Sequence, residues 1–122
     1  MSILDNLPHV ATARLQTRTA DSMSGTAPAD GATLFTDRPC WRQAASDNEI
    51  TSYEKRGITV TEKVYFVTDP EVDERHHLTD VRGKDETAGT GDRLEVRSRA
   101  HPDASVGLGI VYRVMCEFVT IS

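Results

Sequence analysis

Two stretches of this chain alternate apolar and polar residues with a period of two, and that pattern restricts the fold more than any other feature. Ile58 to Thr68 (ITVTEKVYFVT) is rich in β-branched and aromatic side chains, with Ile58, Val60, Val64 and Phe66 on one face. Ile110 to Ile121 (IVYRVMCEFVTI) sets Ile110, Tyr112, Val114, Cys116 and Phe118 on one face in the same way. Successive side chains of a strand point to opposite sides, so each run predicts a buried face and a second face that is wet or covered by a partner. Tyr65 and Val67 fall on that second face, and Glu62 interrupts the first, which predicts a bulge or an exposed middle.

Weaker strand patterns lie at His9–Thr19, Leu34–Arg42 and Arg93–Ala100, with a short one at Arg75–Val81. Pro39 lacks a ladder donor and puts its strand at an edge or bulge. The expected core is Val60, Val64, Phe66, Val96, Tyr112, Val114 and Cys116. Between the strands, Asp21–Thr33 (DSMSGTAPADGAT) has almost nothing to bury, and Asp69–Asp92 carries eight acids against three bases. Flexible loops are therefore expected near 20–33 and 82–92, with a turn at His101-Pro102-Asp103. Ser46 followed by Glu49 is a capping box, Ile50, Tyr53 and Glu54 follow at helical spacing, and Gly57 supplies a left-handed stop. A short helix that depends on docking is expected there. The 122 residues are expected to form a single domain, 1–122: mainly β, a small antiparallel β-barrel or sandwich with one short helix and long loops.

The net charge of −5 argues against sequence-specific DNA binding, which draws its affinity from clustered Lys and Arg. An acidic surface instead suits a conduit that passes a polyanion without adhesion. Cys40 and Cys116 have no CxxC spacing and read as small buried hydrophobes in a reducing compartment. The opening residues lack the pattern of a signal peptide, no stretch approaches a membrane span, and synthesis in the cytoplasm is expected.

Catalytic signatures are missing: there is no P-loop, GxGxxG, GxSxG or HExxH, and nothing positions a base for Cys116 or Ser98. No enzymatic activity and no cofactor are expected. Asp69–His77 (DPEVDERHH) is the densest polar cluster, but adjacent His76 and His77 on a strand point apart, so it reads as a solvated acidic turn rather than a metal site. Trp41, the single Trp, reads as core or barrel-rim packing, with an interface anchor as the functional alternative. Lys55 and Arg56 sit where cations complement a helix dipole; a salt bridge between subunits or a contact with passing DNA is their functional alternative.

The opening SILDNLPH, the block PCWRQAASDNEITSYEKRGITVTEKVYF, the turn DPEVDERH and the closing EVRSRAHPDASVGLGIVYRVMCE together resemble head–tail joining proteins of tailed bacteriophages, of the head-closure type. The resemblance covers most of the chain and rests on strand–loop–strand order. It implies a small β-barrel that forms a homo-oligomeric ring, six-fold or twelve-fold, in the virion neck, assembled in the host bacterial cytoplasm. Such a ring contacts the portal or adaptor on the head side and the tail terminator or tail tube on the other. It closes the DNA-filled head while DNA passes through the lumen without sequence-specific binding and without a membrane. Within that expectation, Asp47, Glu49, Ile50, Tyr53, Glu54, Lys55 and Arg56 form the candidate lumen or inter-subunit segment, ordered only on assembly, with Asp47, Glu49 and Glu54 facing DNA. Trp41 is the candidate anchor. A tail terminator or other minor tail component is the alternative within the virion, and a cytoplasmic binding module is the alternative outside it.

Overall fold

The computed structural model describes residues 7–17, 29–104 and 110–118. The alternating runs become strands, in the order β1 (His9–Thr17), β2 (Ala29–Ala44), helix α1 (Asp47–Glu54), β3 (Glu62–Phe66), β4 (His76–Gly83), β5 (Asp92–Val96), β6 (His101–Asp103) and β7 (Val111–Phe118). Six of them close into an antiparallel barrel in the order β3-β2-β1-β4-β5-β7, sealed by pairing of β3 with β7. Closure covers the edges of β3 and β7, while β2 runs on past its pairing with β3.

The strand β6 is an extra piece that completes the barrel wall. Cys116 pairs with Glu62 on one side and Val96 on the other, while Tyr112 pairs with Phe66 and Pro102. Strands β5 and β6 therefore lie along the same edge of β7, as one line broken at residues 97–100. The sequence pattern runs a strand straight through to Ala100 and puts a turn at His101–Asp103. Instead, four residues bulge out opposite two of β7, and pairing resumes with His101 opposite Arg113.

Bulges also shape the other side of the barrel. Residues Ala29–Cys40 of β2 face the shorter His9–Thr17 of β1, and the ladder absorbs the excess at three register shifts. Such bulges coil a hairpin strongly. Asp37 sits at one of them with a φ of 48°. On the opposite flank of β1, a matching shift in β4 surrounds Asp80, with a φ of 52°. Residues 29–33, expected in a loop, belong to β2; residues 21–28 of that loop lie outside the described residues, as do Arg18 and Thr19 of the first expected strand and residues 119–121 of the last.

The barrel is filled by Val64, Phe66, Leu78, Leu94, Val96, Val114 and Cys116, against the small Ala11 and Ala13 of β1. The hydrophobic term for each large aliphatic side chain is about 1.5–3 kcal/mol, so this cluster dominates the stability. Phe35 meets Phe66 edge-on at 5.6 Å, and Arg38 lies over both rings at one end of the barrel. Arg42 plugs the other end, ion-paired to Glu62 and to Asp92 at 2.7 Å and stacked over Phe118. Glu62, which breaks the apolar pattern, is thus a strand-end residue facing an arginine.

Val60 is buried as expected, though not inside the barrel, and the placements of Tyr112, Ile110 and Phe118 need correction. Strand β3 begins at Glu62, so Val60 lies outside it and is buried in a second cluster beside α1. Tyr112 is only half-buried, because it sits at the end of β7 beside the exposed Pro102. Ile110 and Phe118, placed on the same inward face by alternation, are 65% and 39% exposed, since the barrel wall ends before it covers them.

Candidate interaction surface

The helix is built as the sequence dictates. Ser46 accepts the Glu49 N–H on its side-chain oxygen at 3.2 Å, and the Glu49 carboxylate accepts the Ser46 N–H at 2.9 Å. At the other end, the N–H of Gly57 donates to the Glu54 carbonyl and that of Ile58 to the Tyr53 carbonyl. Gly57 takes the left-handed conformation this closure requires, at a φ of 76°. Lys55 and Arg56 follow the helix end, and Arg56 lies 4.4 Å over the Tyr53 ring.

Residues 45–61 form an excursion between β2 and β3, closed at its base where the Ala45 N–H donates to the Thr61 carbonyl. The excursion has an apolar cluster of its own, made of Tyr53 and Val60 with Ala45, Ile50 and Ile58 around them. Among the described residues of the barrel strands, Met115 alone joins that cluster. Register places Lys63 opposite Met115, and Tyr65 opposite Arg113, on the outer face of β3 and β7. Glu49 reaches across to this face, 2.9 Å from Lys63 and 3.5 Å from Arg113, and Arg113 also meets Asp103 at 3.3 Å. Burial pushes the Glu49 carboxyl up, but the Ser46 N–H and the Lys63 ammonium outweigh it and hold it below its ordinary value.

This geometry divides the expected segment. Ile50 and Tyr53 point to the barrel, and Glu49 is engaged with the two cations Lys63 and Arg113. Asp47, Glu54, Lys55 and Arg56 remain exposed. The docking of the segment in a single subunit rests on a barrel-face methionine flanked by Lys63 and Arg113, none of which the sequence pattern distinguishes from ordinary strand residues. Trp41 is half-buried, paired in register with Tyr65 and 5.8 Å from its ring. Tyr65 is therefore covered from within the chain, while Val67 stays exposed.

The expected solvated turn at Asp69–His77 is partly interior. Pro70, Val72, His76 and His77 are buried, and only part of the acidic set faces water. The loop packs on the β5–β6 bulge, where the Ala100 N–H donates to the Val72 carbonyl, and the two line an open cleft of about 470 Å³. His76 lies against Asp73 at 3.2 Å, and His77 lies 3.1 Å from Arg93 across the sheet. Among the described residues, no group of three or more His, Cys, Asp or Glu is arranged to hold a metal ion, and no helix is long and apolar enough to cross a membrane.

The loop expected near 82–92 is tied down at several points. The Asp80 carboxylate accepts the N–H groups of Gly89 and Gly91, each at 2.8 Å, and Glu86 accepts the Gly83 N–H at 2.9 Å. On the open side of β2, no described strand pairs along residues 29–40, because β3 pairs only with Trp41–Ala44. Ala32, Thr33, Leu34, Thr36 and Pro39 are exposed along that stretch.

The fold and these surfaces define the class: a mainly β protein, one six-stranded antiparallel barrel with an extra strand and a single short helix. No protein-family model matches the chain, and no curated protein matches its sequence.

Proposed function

We propose that the protein is a structural, non-enzymatic component of a tailed-phage neck, acting as a homo-oligomeric ring between the portal or adaptor and the tail. In that role it closes the DNA-filled head and presents the surface on which the tail docks, after assembly in the host cytoplasm. The observation that carries the reading is the side of β2 along which no described strand pairs at residues 29–40. This strand continues well past the end of its pairing with β3, and it exposes Leu34 (43%) beside the half-buried Phe35. Its bulges and Pro39 oppose simple extension of the sheet by another strand, so the side suits interlocking of side chains between neighbours in a ring. A heterologous contact of that kind closes when its rotation permits. The exposed Asp47 and Glu54, together with a net charge of −5, suit a lumen through which DNA passes without adhesion.

The test is assembly and partner choice. Electron microscopy of the purified protein with portal complexes is expected to show rings seated on the portal. Binding to isolated tail tubes alone would instead indicate a tail terminator. Binding to neither, with the protein remaining monomeric at high concentration, would overturn the neck role.

A further inference from the structure

We propose that the excursion carrying α1 is an exchangeable unit, and that in the assembled protein it leaves its own β3–β7 face and docks on that of a neighbouring copy. The inference deepens the ring reading by naming a contact between subunits.

Three observations support exchange. First, the unit carries its own structure: both helix ends are satisfied within residues 46–58, and its apolar cluster draws all but Met115 from the excursion itself. Secondly, the helix itself meets the barrel through the side chains of Glu49, Ile50 and Tyr53, while the backbone ties of the excursion lie at its base, where the Thr61 N–H donates to the Cys116 carbonyl. A two-turn helix is marginal without a surface to rest on, which makes an alternative surface effective. Thirdly, the docking chemistry is complementary and self-contained. One carboxylate, Glu49, enters between two cations, Lys63 and Arg113, beside one apolar residue, Met115. A second copy offers the same carboxylate beside the same Tyr53 and Ile50, so the face that accepts its own helix accepts a neighbour's. Exchange of an identical element between protomers is a low-cost route to oligomers, and passing each helix to the next copy generates the head-to-tail contact a ring needs.

Charge reversal separates docking within a chain from docking between chains. Glu49→Lys reverses the helix, and Lys63→Glu with Arg113→Glu reverses the face. Each variant is expected to associate poorly alone. An equimolar mixture restores complementary pairs only between copies, and is expected to associate about tenfold more tightly than either variant, read by analytical ultracentrifugation. The triple variant, carrying all three changes in one chain, checks that the reversed charges permit folding and docking. A mixture that stays monomeric while the triple variant protects its helix amides normally would overturn exchange. If the triple variant fails to fold, a second route remains. One copy carries Glu49→Cys and another Lys63→Cys, and mixing under mild oxidation is expected to give a covalent heterodimer, because the native thiols are buried. Yields no higher than with Ser52→Cys, on the exposed side of the helix, would overturn exchange. Rings that form on portals while mixing fails refute the exchange alone; exchange without portal or tail binding refutes the neck role alone.

Discussion

Asp37 and Asp80, on different strands and on opposite flanks of β1, both adopt the left-handed conformation, and their carboxylates converge on the guanidinium of Arg82. Each Asp marks the bulge of its own strand, and Thr12, between them on β1, receives the Asp37 N–H at 3.1 Å. The arginine therefore ties two bulges together across a strand, and Asp80 extends the tie into the β4–β5 loop through Gly89 and Gly91. Left-handed φ costs a non-glycine residue roughly 1–2 kcal/mol, and local hydrogen bonds from Asp offset part of it.

The closeness of Gly91 to this site makes the first prediction. A Cβ at Gly91 would lie 2.5 Å from the Asp80 carbonyl carbon and 2.7 Å from the Val81 nitrogen and oxygen, all of them backbone. Gly91→Ala is expected to lose about 1–3 kcal/mol of stability by overpacking. Gly57 has open space at its Cβ but a positive φ, so Gly57→Ala is expected to cost about 1 kcal/mol from strain alone. Urea unfolding of the two variants checks the order, and equal losses would count against the close approach.

Phe66 is wholly buried in the barrel and meets Phe35 edge-on. Phe66→Ala is expected to cost about 3–5 kcal/mol, whereas Val67→Ala, one residue on and facing out, is expected to fall within about 0.5 kcal/mol of the parent. A calorimetric comparison that found the two alike would reverse the face assignment.

Both thiols are free and buried in the barrel core. Burial pushes the Cys40 thiol up to about 12, only partly opposed by Arg42, and pushes Cys116 up as well. Neither forms thiolate near neutral pH, so labelling by a thiol reagent is expected to require global unfolding. Fast labelling of either cysteine under native conditions would show a local opening of the barrel.

Acid is expected to destabilise the protein in two stages. Burial and the nearby Arg42 hold the His9 imidazole below its ordinary value. The Arg75 side chain holds Asp73 at about 2, and Glu49 and Asp80 are also held below the ordinary carboxylate value. For every one of these groups the unfolded chain binds protons at higher pH than the folded one. Their contributions are therefore full above the unfolded pKa and decline as pH falls, first for His9 below about 6.5 and then for the carboxylates below about 4. Melting temperature against pH reports the sum; a protein that melts higher at pH 4 than at pH 7 would contradict it.

Much of the barrel is legible in the sequence because its signals are local. Val64, Phe66, Val114 and Cys116 alternate on short runs, and Ser46, Glu49 and Gly57 write the helix ends in residue types that have one geometric use. What the pattern misses depends on residues far apart. Nothing near Ile110, Tyr112 or Phe118 announces that the wall ends beside them. The bulges at Asp37 and Asp80 follow from strand lengths set elsewhere in the sheet. The dock for α1 escapes notice for the same reason: Lys63, Arg113 and Met115 look like ordinary outward strand residues until β3 and β7 are paired.

The pairing of β3 with β7 also governs the route to the folded state. Residues 62–66 must wait for residues 111–118, the last strand in order, before the cylinder can shut. As the chain leaves the ribosome, β3 has β2 alone beside it and β5 has β4 alone, so two rows of backbone donors and acceptors face the cell until β7 arrives. Contacts this distant in sequence fold slowly, and unpaired edges during that interval invite association with other nascent chains. A substitution that weakens β7 is thus expected to lower the yield of soluble protein by more than its effect on the finished barrel.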